Sequence, residues 1–100
     1  MSPVSNAQPK LDLIVVFKIM PEGAEVDVQK LGEAALATVK SVQPAAKVQN
    51  IEFKPIAFGL KSVNVTILMS DAAGGPDALE EAFNGMDGVG SASVDQMGRI

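Results

Sequence analysis

The sequence predicts an α+β domain in which two helices cover one face of a four-stranded antiparallel sheet. Three observations carry that expectation. Segments of strand-like and helix-like apolar patterning follow one another in the order β-α-β-β-α-β. The 100 residues hold no internal repeat and no long insertion. A hydrophobic content of 47% is enough for a single core without disulfides or metal.

Leu11 to Met20 is short, rich in branched apolar residues and stopped by Pro21, which suits a buried strand better than a helix. Pro21-Glu22-Gly23 then turns the chain. Asp27 is placed to cap a helix, and Val28, Leu31, Ala35, Val39 and Val42 recur at steps of three and four, giving it one apolar face that ends before Pro44. Val48, Ile51 and Phe53 outline a second strand whose imperfect alternation implies a bulge. Val63, Val65, Ile67 and Met69 alternate with Asn64, Thr66, Leu68 and Ser70, the clearest period-two signal in the chain. Asp71 to Gly75 breaks that strand, and Pro76 suits the first position of a helix. Leu79, Ala82, Phe83 and Met86 form its apolar face, while Asp77, Glu80 and Glu81 lie near its positive end. The Glu80 and Glu81 carboxylates complement the helix dipole, or contact a basic partner. Gly85 and Gly88 close the helix, and Val89, Ala92, Val94 and Met97 make a weaker last strand that runs to Gly98-Arg99-Ile100. Phe17, Phe53 and Phe83 fall on element faces and are assigned to the core. Gly74-Gly75 could cradle a phosphate, but an isolated glycine pair more simply permits the turn.

This element order points to the split βαβ, ferredoxin-like sandwich. Right-handed crossovers put the first and third strands in the middle of its sheet. One connection departs from ordinary loop chemistry. Lys54-Pro55-Ile56-Ala57-Phe58-Gly59-Leu60-Lys61 joins two strands with an apolar loop that carries a phenylalanine. Connections run over the surface, so the ring is either presented to a partner or folded back as a lid on the core, and the residues alone leave both open. The topology places this loop and the terminus with Arg99 at opposite ends of the sheet, on the order of 25 Å apart. If both act, their partner is a macromolecule.

Composition removes other classes. The chain has no cysteine, hence no disulfide framework, zinc-thiolate site or thiol nucleophile, and no histidine, the commonest general base and metal ligand. No cofactor is expected. A net charge of -4 argues against direct nucleic-acid binding, which needs clustered basic residues, and suits a partner with a basic surface. Leu11 to Met20, interrupted by Asp12 and Lys18, falls far short of the ~20 residues that span a bilayer. Met1 to Lys10 is polar, carries Pro3 and Pro9, and lacks the pattern of a secretion signal. Residues 1–10 are expected to be a disordered tail, residues 11–100 the domain, and the location cytoplasmic.

From Leu11 onward the chain resembles the guanine-nucleotide exchange domains of the elongation factor 1-beta family, the archaeal members above all. Pro55-Ile56-Ala57-Phe58-Gly59-Leu60 is similar to the family's apolar loop, Phe17-Lys18-Ile19-Met20-Pro21-Glu22 to the close of its first strand, and Asp71 to Glu81 to its acidic, glycine-containing approach to the second helix. The resemblance implies an exchange factor for elongation factor 1-alpha, the GTPase that delivers aminoacyl-tRNA to the ribosome. It implies a non-enzyme, acting as a monomer in a transient one-to-one complex. It also implies partner-binding roles for Phe58 with Ile56, Ala57 and Gly59, and for Arg99 with Ile100. The family phenylalanine inserts into a pocket of the GTPase, and a basic residue beside the C-terminus reaches toward its magnesium and phosphate region. Eukaryotic members carry lysine where Arg99 stands, and a planar guanidinium is not equivalent to a compact ammonium.

Other functions fit the same fold less well. A small-molecule-sensing, amino-acid-binding module would use the loop from Pro21 to Val26 and needs no loop aromatic. RNA recognition wants basic and aromatic residues on the central strands, and Asn64 to Ser70 supplies neither. Acyl phosphate hydrolysis would want an arginine between Met20 and Asp27, where there is none.

Overall fold

The computed structural model describes residues 11–70 and 76–100. The expected tail over 1–10, the strand break at Asp71 to Gly75 and the Gly74-Gly75 pair lie outside the described residues. The elements are β1 (Leu13–Pro21), α1 (Val28–Val42), β2 (Lys47–Pro55), β3 (Lys61–Met69), α2 (Asp77–Asn84) and β4 (Val89–Arg99). The strands form one antiparallel sheet in the order β2-β3-β1-β4. This is the ferredoxin-like sandwich, with the first and third strands central.

Local chemistry accounts for the helix boundaries. The Asp27 carboxylate accepts from the N–H groups of Gln29 at 3.0 Å and Lys30 at 3.4 Å, satisfying two donors that the first turn of α1 leaves over. The last turn ends as Gln43 N–H donates to Val39 C=O at 2.8 Å, just before Pro44. In α2 the proline stands one residue earlier than its propensity suggests. Pro76 is the N-cap, and its carbonyl accepts from Glu80 N–H at 2.9 Å.

Leu13, Val15, Phe17 and Ile19 of β1 alternate strictly with half-buried residues. The continuous apolar run leads one to expect a strand covered on both sides. Because both helices lie on one face, Ile14, Val16 and Met20 instead line the open face. On the covered face, Val63, Val65, Ile67 and Met69 of β3 meet Leu31, Ala35 and Val39 of α1 and Leu79 and Phe83 of α2. The rings of Phe17 and Phe83 pack edge to face, with centroids 5.1 Å apart and an interplanar angle of 80°. Phe53 is a correction to the expected core: it is 37% exposed. It sits on the edge strand β2, where only α1 overlaps it, at a helical glycine. A Cβ on Gly32 would stand 3.3 Å from its ring.

Both outer strands are irregular. The β2–β3 register shifts between Val48 and Asn50, the bulge that the broken alternation implied. The β1–β4 register shifts between Val16 and Phe17, which pair with Gln96 and Val94, so that Asp95 is an extra residue on β4.

Candidate partner-binding site

The β2–β3 connection is a tight hairpin turn. Leu60 N–H donates to Ala57 C=O at 3.3 Å, and Ile56 N–H donates to Leu60 C=O at 2.8 Å. The two residues between have positive φ: Phe58 at φ 64, ψ 32, and Gly59 at φ 74. Consecutive left-handed residues make the primed turn whose twist matches a hairpin, and its first central position ordinarily holds asparagine, aspartate or glycine. Phe58 is the only non-glycine residue with positive φ among those described. A bulky side chain held there costs about 1–2 kcal/mol per residue. The ring gains nothing inside its own fold in return, because Phe58 is 94% exposed. The lid reading of this residue is therefore excluded by its position. Ile56 is half-buried at the root of the turn, while Ala57 and Gly59 flank the ring and are exposed.

At the other end of the sheet, Arg99 is the last residue of β4 and stands opposite Leu13. Its guanidinium lies 3.8 Å from the carboxylate of Asp12, and Ile100 N–H donates to Asp12 C=O at 3.1 Å. The chain end is thus tied to the start of β1. The Arg99 side chain remains 66% exposed and Ile100 is 71% exposed. Asp12 drew no attention in the sequence, where it only interrupts an apolar run. Sheet register alone brings it to Arg99. Pro55 pairs with Lys61 at one end of β3, and Met69 and Arg99 both face Leu13 at the other. A strand of nine residues separates the two groups by about 26 Å.

A cleft of about 280 Å³ at the root of the turn is lined by Pro21, Gly23, Val26 and Asp27 on one side and Gly59 and Lys61 on the other. It joins the loop an amino-acid sensor would use to the base of the aromatic turn. Among the described residues no group of three or more His, Cys, Asp or Glu side chains could hold a metal ion. No described helix is long and apolar enough to cross a membrane. Glu80 turns toward the sheet rather than outward to a basic partner, its carboxylate accepting from Val94 N–H at 3.2 Å.

Fold and geometry define a class: a ferredoxin-like domain that presents an aromatic ring on a strained turn at one end of its sheet and a cation at the other. The profile of the family described as "EF-1 guanine nucleotide exchange domain" matches residues 14–100. Elongation factor 1-beta of Natronomonas pharaonis is 40% identical over 84 residues, which cover 84% of this chain and 92% of that protein. Elongation factor 1-beta of Methanocella arvoryzae is 38% identical over 88% of this chain and 96% of its own. The Methanosphaera stadtmanae protein of the same name is 37% identical over 89% and 97%. The chain belongs to the elongation factor 1-beta family of guanine-nucleotide exchange domains, and so to the exchange factors of translation elongation.

Proposed function

We propose that the chain accelerates release of GDP from elongation factor 1-alpha, and so its exchange for GTP, by stabilising the nucleotide-free GTPase. The observation that carries this reading is the exposed, strained Phe58 on a chain whose family is the exchange domain. Phe58, with Ile56, Ala57 and Gly59 around it, anchors the complex in an apolar pocket of the GTPase. Arg99, with Ile100, enters the region that holds magnesium and phosphate. Neither residue makes or breaks a bond, so the protein is not an enzyme, and it works in the cytoplasm where translation proceeds.

Linkage sets the scale of the effect. A factor that weakens nucleotide binding a thousandfold is itself bound a thousandfold more weakly when nucleotide is present, a coupling of about 4 kcal/mol. Burying one phenylalanine contributes about 1.5–3 kcal/mol. A cation placed among ligands meant for magnesium contributes further by replacing part of the ion's charge. The two together reach the required order. The decisive experiment follows fluorescent GDP leaving an archaeal elongation factor 1-alpha with and without this protein. Faster release in proportion to added protein supports the proposal, and an unchanged rate refutes it.

A further inference from the structure

We infer that Glu80 and Asn84 of α2 are positioning residues for Arg99: they hold the outer edge of β4 in the register that decides on which face the cation emerges. The inference deepens the exchange reading above and rests on it for its functional part. β4 is an edge strand, paired with β1 on its inner side. On the outer side α2 takes the place of a neighbouring strand. The Asn84 amide accepts from Ala92 N–H at 2.9 Å and donates to Ala92 C=O at 2.8 Å, as a paired peptide unit would. One helical turn earlier, the Glu80 carboxylate accepts from Val94 N–H at 3.2 Å. The spacing fits. Four residues of helix rise about 6 Å, and two residues of strand advance about 6.6 Å. A third bond of the Asn84 side chain, from its amide N–H to Glu80 C=O at 2.9 Å, keeps it aligned with the helix.

The anchored residues end where the ladder slips. Val94 still faces Phe17, but the next residue of β1, Val16, faces Gln96, and Asp95 is passed over. Beyond this bulge Met97 faces Val15 and Arg99 faces Leu13. Leu13 and Val15 are core-facing, so the extra residue puts Arg99 on the helix-covered side, where it lines a shallow cleft with Leu13 and Pro76. A regular ladder continuing from Val94 would bring Gly98 opposite Leu13. Arg99 would then lie one residue further along and on the other face, since a shift of one residue exchanges the faces of a strand. Bulges re-aim side chains next to functional sites. Here the helix holds the last regular residue before the bulge, and the exchange residue follows it.

The test titrates stimulated release of fluorescent GDP from elongation factor 1-alpha with the full chain carrying Glu80→Ala, Glu80→Gln, Asn84→Ala or a deletion of Asp95. Each variant is also examined alone by NMR for the cross-strand contact between Leu13 and Arg99 and for protection of the Val94 amide. Glu80→Ala and Asn84→Ala should lower the maximal acceleration about tenfold, as a misplaced group does. The half-saturating concentration, set mainly by the Phe58 end, should change less than about twofold. Glu80→Gln keeps an acceptor oxygen and should restore the maximal rate. Deleting Asp95 removes the bulge but leaves Gln96, Met97 and Arg99 opposite Val16, Val15 and Leu13, so it should keep both the Leu13–Arg99 contact and the acceleration. The inference is overturned if Glu80→Ala leaves the contact and the maximal rate intact, or if its rate falls only in proportion to its unfolded fraction in circular dichroism. Where Asn84→Ala does not fold, the Glu80 pair decides. Where even the wild-type chain fails to release GDP, the exchange reading falls, and the Leu13–Arg99 contact in Glu80→Ala still decides register control: its loss upholds the inference, its persistence refutes it.

Discussion

Phe58 combines two costs that a stability-driven sequence would avoid, a left-handed backbone and a ring in water. That conjunction separates fold from function experimentally. Asparagine adopts the left-handed region far more readily than phenylalanine. We therefore predict that Phe58→Asn keeps or raises the melting temperature while weakening binding to elongation factor 1-alpha by about 2 kcal/mol or more, a loss typical of a buried aromatic anchor. Calorimetric titration beside a thermal melt checks both halves, and a melting point several degrees lower would return the ring to the fold. Arg99 is tied down by its backbone, so Arg99→Ala should leave stability within about 0.5 kcal/mol, as surface substitutions do. If Arg99 acts as proposed, the same substitution should slow stimulated GDP release more than it weakens complex formation. At this scale the sequence showed which side chain was out of place, since an apolar hairpin loop is visible in composition. It did not show the positive φ of Phe58, nor that the ring points away from the core, because both depend on how the flanking strands pair.

Elements differ in how far their neighbours can yield. Gly32 lies where α1 crosses β2, and a Cβ there would meet Ile51 Cδ1 at 3.0 Å and the Phe53 ring at 3.3 Å. Both are ends of side chains on an edge strand. Gly32→Ala should therefore stay within about 1 kcal/mol of the wild type in urea unfolding, the gain in helix propensity offsetting the crowding. At Gly90 the same methyl would stand 3.1 Å from Glu22 Cα and from the Pro21 carbonyl, which are backbone. Gly90→Ala should cost about 1–3 kcal/mol. Equal effects at the two sites would mean that β1 and β4 are less closely joined there than the geometry implies. Element type was legible along the chain because period and punctuation agreed: Asp27 before α1, Pro44 after it, and the broken alternation of β2. The slip at Asp95 in β4 was not legible. Asp95 between Val94 and Gln96 looks like any polar strand residue, and only the β1 partners show that it has no counterpart.

Across the whole molecule, two exposed groups about 26 Å apart on one sheet make a single rigid spacer. If exchange requires both contacts from one scaffold, a mixture of Phe58→Asn and Arg99→Ala proteins should not regain wild-type activity in GDP release, whatever their ratio. Recovery in the mixture would show that the ends act independently. Sites so far apart should also be additive in their effects on stability. Sequence alone determined the ferredoxin-like order of elements, the absence of cysteine and histidine chemistry, the apolar turn and the family resemblance, since each is written in local pattern and residue type. Tertiary structure decided the exposure of Phe58 and Phe53, the ion pair of Asp12 with Arg99, the inward turn of Glu80 and the face on which the chain ends. Each of these is a relation between residues distant along the chain, set by sheet register and by which face the helices cover, and local periodicity carries no record of either.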